Sequence, residues 1–404
     1  MRKYFIIILS LSSFLLSNCK NKKEGSTMIT KDSITVWQAE LALDAKAKLG
    51  EGALWQPDQQ RLYWIDIKSK ELHFYDPITG NDEKYLLPNE PGTVVPLKNG
   101  NCMLAFCNGI FEWNKTTEKL TFFAENPEQA IGSRYNDGKC DPSGRLWVGT
   151  YADEKKQCAL YRVNGDGSVK KMVEDVVCSN GIVWSLDKTK IYYIDTPTRE
   201  VQQFDYNDST GEISNRKIII RFPEGVGNPD GSTLDAEGML WIAHWGGACV
   251  SRWNPETGEL IGRVEVPARD VTSVAFGGAG LDTLYITTVS SWVDEETLTR
   301  YPHSGGLFAV MPGVKGIPAN FFNLPDEEKR AYDHHLSQIR FEQNVVEDSF
   351  SSGKAEGLVE GEAIGLEKVV LNCNHAGYSI ETISTITGLA QEKIMLILKR
   401  EAGL

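Results

Sequence analysis

One segment type recurs six times between residues 50 and 310, and this recurrence constrains the fold more than any other feature. Each copy joins a polar turn rich in Asp, Asn or Gly to an apolar-aromatic run and then to a second run. The copies are QPDQQRLYWIDIKSKELHFYDPITG, LKNGNCMLAFCNGIFEWN, DPSGRLWVGTYADEKKQCALYRVN, SLDKTKIYYIDTPTREVQQFDYN, DAEGMLWIAHWGGACVSRWN, and GLDTLYITT continued by SGGLFAVMPG. With Trp64, Leu104, Trp147, Tyr193, Trp241 and Tyr285 as equivalent positions, the intervals are 40, 43, 46, 48 and 44 residues. That period suits one four-stranded unit. Six such units predict an all-β, six-bladed β-propeller, closed on itself so that few strand edges stay exposed. A sandwich or jelly roll gives no reason for six units at one spacing.

A short polar segment precedes each apolar run, as in Gly50-Glu51-Gly52, Tyr135-Asn136-Asp137-Gly138, Ser179-Asn180-Gly181 and Pro229-Asp230-Gly231. The innermost strand of a blade is expected to begin there, which brings these polar side chains together on the central channel. Ile34 to Leu43 is expected to supply an outer strand that closes the ring against the last blade.

The two ends of the chain break the pattern. Met1-Arg2-Lys3, an apolar run from Phe5 to Leu16 and then Leu16-Ser17-Asn18-Cys19 read as a secretory segment too short to span a bilayer. Leu-Ser-Asn-Cys resembles a bacterial lipobox, although Asn18 departs from the usual Gly, Ala or Ser. Residues 1–18 are thus expected to be a signal peptide, Cys19 the lipid attachment point, and 19–33 a tether. This would place the protein at the bacterial cell envelope, with a membrane met only through the anchor. The propeller is expected over 34–322 and a short α-helical extension over 323–404. Within that extension the helices are predicted from Lys329 to about Phe350, from Ile380 to Thr387, and from Gln391 to Arg400.

Charge and cysteine content exclude several functions. A net charge of -13 offers no basic stripe for a phosphate backbone, so no nucleic-acid partner is expected. Without Cys19, seven cysteines remain, at 102, 107, 140, 158, 178, 249 and 373; they show neither paired spacing nor a Cys/His cluster, and most read as small buried hydrophobes. Gly-x-Ser-x-Gly, phosphate-loop and His-Glu-x-x-His patterns are absent. His334-His335 are adjacent on a predicted helix and cannot share a face.

LGEGALWQPDQQRLYWIDI, RYNDGKCDPSGRLWVGTYADE, SNGIVWSLDKTKIYYID and NPDGSTLDAEGMLWIAHWGG resemble the signature segments of the SMP-30/gluconolactonase/regucalcin family, in that family's order and over roughly Leu41 to Ala319. The resemblance implies one divalent metal ion held by Glu51, Asn180 and Asp230. Two carboxylates and an amide oxygen are hard donors that suit Ca²⁺, Mg²⁺ or Mn²⁺, and an open three-donor site also admits Zn²⁺. Taken singly, each of these residues is better explained by a turn, since Asx side chains before Gly bond their own backbone, and it is the three together in the family's contexts that favour the metal. The resemblance further implies Arg134, Asn136 and Glu154 as contacts to a polyhydroxylated substrate, while His244 and Trp245 are expected near the pocket. For His244, a fully bonded interior histidine is as good a reading as proton transfer.

The implied activity is metal-dependent hydrolysis of a sugar lactone, a small-molecule substrate, with Asp230 as ligand and general base or as ligand alone. Hydrolysis of another lactone or ester on the same fold, or non-catalytic binding of calcium or sugar, are the alternatives. Finally, DEEKRAYDHHLSQIRFEQNVVEDSF, GKAEGLVEGEAIGLEK and YSIETISTITGLAQEKIMLIL resemble the C-terminal portion of the Rpn/PD-(D/E)XK nuclease family of transposase-related proteins. Such proteins carry their catalytic core upstream of this region, where this chain has the repeats, so no nuclease activity is implied. The join near Asn320 to Pro325 looks like a fusion, and removal of everything after Phe322 is expected to leave activity intact.

Overall fold

The computed structural model describes residues 34–152 and 158–324 and, further on, residues 370, 371, 374, 379–387 and 389–401. The secretory segment with Cys19, the loop with Glu154, the predicted helix from Lys329, His334-His335 and Cys373 lie outside the described residues.

Six antiparallel sheets follow one another along the chain. Blade one comprises Gly50–Gln56, Arg61–Asp66, Glu71–Tyr75 and Asp82–Leu86. Blade two comprises Thr93–Pro96, Cys102–Phe106, Gly109–Trp113 and Leu120–Ala124. Arg134–Cys140, Leu146–Tyr151, Cys158–Val163 and Val169–Val176 form blade three. Ser179–Trp184, Lys190–Asp195, Glu200–Asn207 and Glu212–Arg221 form blade four. Blade five runs through Asn228–Leu234, Leu240–Trp245, Cys249–Asn254 and Glu259–Glu265. Blade six takes Val271–Gly277, Thr283–Thr288 and Leu307–Val310 from late in the chain and Glu40–Leu43 from its start.

The first strand of each blade packs against the first strand of the next, and the sixth returns to the first. Thr272 Oγ1 donates to Gly50 O at 2.5 Å across this seam. The N-terminal residues close the ring as expected, and Thr35–Gln38 adds a parallel fifth strand to the outer edge of blade five. Pairing the outermost strand of blade six with residues some 270 positions away leaves no open end to the ring.

The six equivalent positions of the repeat all fall on the second strand of a blade, and all six side chains are buried. Burial falls off outward: Gly50–Gln56 is buried throughout, whereas Asp82–Leu86 is largely exposed. Between blades, aromatic and branched side chains fill the gaps, as where Trp147 packs on Trp184 of the next blade with ring centroids 5.9 Å apart. The Asp of the DPSG and DAEG turns is structural. Asp141 Oδ2 accepts from Trp147 Nε1 at 3.0 Å and Asp235 Oδ2 from Trp241 Nε1 at 2.9 Å, and each also accepts from an arginine, Arg145 or Arg252. Pairing of this kind makes a fully buried carboxylate tolerable.

After blade six the chain crosses back over its neighbours. Gly316 N donates to Leu281 O, Ala236 N to Lys315 O, Phe322 N to Pro96 O and Asn323 N to Gly144 O. Phe322 is buried against Phe123, and Leu324 packs in the same cluster. These attachments run two residues beyond Phe322.

In the C-terminal segment, helices cover Ile380–Thr387 and Gln391–Glu401, as the sequence predicts, and Val370, Ile383, Ile394 and Ile397 cluster between them. Among the described residues no helix is long and apolar enough to cross a membrane. Of the six described free cysteines, Cys102, Cys140, Cys158 and Cys249 are buried, Cys107 is exposed and Cys178 is intermediate.

Candidate active site

Five of the six inner strands lose register with their neighbour at the same place, between Glu51 and Leu54, Tyr135 and Gly138, Asn180 and Ile182, Pro229 and Ser232, and Val271 and Val274. Bulges of this kind re-aim the intervening side chains. Here they bring Glu51, Asn136, Asn180 and Asp230 to one cavity of about 600 Å³, which Arg134 also lines. The polar residues before each Gly therefore sit inside strands, at bulges, rather than in the turns the sequence suggested. The glycines have a steric reason. A Cβ on Gly181 would come within 2.8 Å of Asp230 O, and one on Gly231 within 2.7 Å of Thr272 O, so neighbouring inner strands approach this closely only without side chains there.

Two aspartates that the sequence reading passed over hold these strand ends in place. Asp66, from YWID, accepts from the backbone N–H groups of Lys48 and Leu49 at 2.8 and 3.0 Å, just before Glu51. Asp195, from YYID, accepts from Cys178 N at 2.9 Å and from Val177 N, just before Asn180. The recurrence of aromatic-Ile-Asp in two repeats was the available signal.

The electrostatics behind the cavity wall are unusual. Glu51 and Asp230, which line the cavity, and Asp137 are all buried, with the half-buried Lys139 beside Asp137. Burial first, and then the Asp137 charge, push the Glu51 carboxyl up to about 8. Asp230 is raised well above the usual carboxylate range by burial, then by Glu51, then by Asp137. Lys139 donates from Nζ to Ser232 O at 2.7 Å, and burial lowers its pKa. Asp230 Oδ1 is buried and has no hydrogen-bond partner. Asp137 was legible as part of Asn-Asp-Gly but was not singled out.

Among the described residues, no three side chains drawn from His, Cys, Asp and Glu form a metal-binding group. A cation site here would have to draw on a donor outside those four residue types, and the amide of Asn180, which lines the same cavity, is of that kind. The residues present fit such a group: Asp230 Oδ1 is buried without a partner, and the neighbouring Glu51 charge raises the Asp230 carboxyl further, so a cation between them would offset both.

Arg134 Nη1 donates to Asn136 Oδ1 at 2.7 Å, and its guanidinium lies over the Tyr151 ring at 5.0 Å. Trp245 lines the cavity, with Trp292 beside it at 6.4 Å between ring centroids. His244 does not line it. Its Nδ1 lies 2.7 Å from Val226 O and its Nε2 2.6 Å from Ser251 Oγ, so of its two readings the fully bonded interior histidine is the one observed.

The family model described as SMP-30/Gluconolactonase/LRE-like region matches residues 49–290, a span that contains every one of these cavity residues except Trp292. The chain belongs to this family. Within it, the "Putative sugar lactone lactonase YvrE" of Bacillus subtilis (strain 168) is 38% identical over 274 residues, covering 67% of this chain and 94% of that protein. Regucalcin of Xenopus laevis is 35% identical over 283 residues, or 68% of this chain and 95% of its own. Among solved structures, a calcium-binding protein, regucalcin, from Agrobacterium tumefaciens str. C58 superposes with a TM-score of 0.69 at 29% identity, covering 72% of this chain and 99% of that chain.

Proposed function

We propose that this protein hydrolyses a sugar lactone at the cavity where Glu51, Asn180 and Asp230 meet, with a divalent cation held by those three side chains. The observation that carries the reading is the buried, unpartnered Asp230 Oδ1 beside a second buried carboxylate, in a chain whose relatives include one named as a sugar lactone lactonase. When bound, the cation would polarise the lactone carbonyl as a Lewis acid and offset the charge that develops on its oxygen. The donor set is all oxygen, and one solved relative is described as calcium-binding, so Ca²⁺ is the first ion to test, with Mg²⁺, Mn²⁺ and Zn²⁺ beside it.

The chain's own residues supply the rest. Arg134 presents a guanidinium to the hydroxyl and carbonyl oxygens of a sugar lactone, by directional bonds that a lysine could not reproduce. Asp230 takes the proton of the attacking water, a role favoured by an oxygen that no protein donor occupies. Trp245 and Trp292 wall one side of the cavity. Lipid attachment at Cys19 and a substrate contact from Glu154 belong to the same proposal.

The test is hydrolysis of gluconolactone by the purified protein, before and after chelation and with each cation restored. Activity lost on chelation and regained with one ion supports the reading. Activity that ignores the chelator refutes the metal, and cation binding without turnover of any lactone or ester makes the propeller a binding protein.

A further inference from the structure

A chain of hydrogen bonds with one possible direction runs through the cavity wall, and it decides which way the Asn180 amide faces. At one end stands Arg134, whose guanidinium can only donate. Its Nη1 lies 2.7 Å from the Asn136 side chain, which must therefore turn its Oδ1 to the arginine. Asn136 Nδ2 is then left to donate, and it reaches Ser179 O at 2.7 Å and Asn180 Oδ1 at 3.0 Å. At the other end stands the carbonyl of Pro229, which can only accept. Thr196 Oγ1 lies 2.8 Å from it and must spend its single proton there. That hydroxyl can consequently only accept from Asn180, whose Nδ2 is 2.7 Å away. Both ends thus demand the same result: the Asn180 amide nitrogen faces Thr196 and its oxygen faces Asn136.

We propose that Thr196 and Asn136 are positioning residues that lock the Asn180 amide with its oxygen presented to the cavity, so that one lone pair accepts from Asn136 and the other remains for a cation. An amide held the opposite way would offer two N–H groups to the ion and repel it. This inference rests on the cation reading above and gives Asn136 a different task from direct substrate contact, since both of its N–H groups are already engaged by protein oxygens. The Thr196 platform is itself rigid. Thr196 opens a short 3-10 turn, Asp195 before it holds Cys178 N, and Arg199 after it donates to Asn228 Oδ1 at 2.9 Å. The chain of bonds also ends on the residue before Asp230, which ties the arginine of blade three to the carboxylate of blade five through a single series of contacts.

The test is calorimetric titration of the full chain with calcium and manganese chlorides, comparing wild type with Thr196→Val, Thr196→Ser and Asn136→Ala, each first checked for an unchanged β-sheet circular dichroism spectrum. Removing a residue that orients a ligand weakens metal binding by about 10–100-fold, and this is the loss expected for Thr196→Val and Asn136→Ala. Thr196→Ser keeps the hydroxyl and is expected to stay within about threefold of wild type, an outcome that separates hydrogen-bond direction from packing. Wild-type affinity in Thr196→Val, or an equal loss in Thr196→Ser and Thr196→Val, overturns the positioning role while leaving the cation reading intact. A wild-type protein that binds neither these two ions nor magnesium or zinc refutes the cation reading itself, and the positioning role with it.

Discussion

His244 and Ser251 share a 2.6 Å hydrogen bond between Nε2 and Oγ, inside blade five rather than at the cavity. Because Val226 O at Nδ1 can only accept, that nitrogen carries the proton, and Ser251 donates to Nε2. The ring is held neutral, and burial lowers its pKa from 6.5 to about 4. Between these two values the unfolded chain binds the extra proton, so stability falls as pH drops from about 6.5 to about 4, by on the order of 3 kcal/mol from this group. Urea midpoints measured across that range are expected to slope less steeply in His244→Gln than in wild type. Parallel slopes would show that the group does not titrate this way.

Asp141 predicts a larger loss. Its Oδ2 accepts from Arg145 Nε, Trp147 Nε1 and Tyr206 OH at 2.6, 3.0 and 2.8 Å, in a fully buried position. Asp141→Ala leaves the Trp147 indole N–H without a partner and takes the buried counter-charge from Arg145, and is expected to cost about 3 kcal/mol or more in a denaturant titration. Cation affinity should be unaffected, because none of these groups lines the cavity. A loss below about 1 kcal/mol would mean that water replaces the carboxylate.

The C-terminal boundary can be placed to within a few residues. A chain ending at Leu324 retains the backbone bonds to Leu281, Ala236, Pro96 and Gly144 and keeps Phe322 buried, so it should match the full chain in melting temperature and lactonase rate. Ending at Val314 removes all of them and is expected to cost about 4 kcal/mol, the scale of losing one buried phenylalanine. A loss of rate in the chain ending at Leu324 would give residues 325–404 a part in the activity.

The blades were legible because a period of 40 to 48 residues survives even where the residues change, as from Trp147 to Tyr193. Closure by Glu40–Leu43 could be anticipated for the same reason, since a ring short of one outer strand needs a donor. The helix Glu295–Arg300, capped by Asp294, interrupts blade six and left no repeat signal. At the site, Glu51, Asn180 and Asp230 were legible through the resemblance of their segments to the family's signature, since the Gly that follows each speaks as readily for a turn. Asp66 and Asp195 carried a fainter signal, an Asp two residues after the equivalent aromatic position in two repeats, and Thr196 carried none, because a residue that acts through one hydroxyl has no spacing of its own. The bulges were hidden as well: a slip in register is a property of two strands, and the sequence of one strand does not contain it.

Asp230 is the centre of the proposed hydrolytic site, and the direct measurement is the lactonase rate of Asp230→Asn beside the cation it retains. The substitution keeps the shape of the side chain and removes its negative charge and basicity. The expected result is a folded propeller whose gluconolactone hydrolysis falls by about 10²–10⁴-fold. A wild-type rate in Asp230→Asn would contradict the assignment of this cavity as the hydrolytic centre.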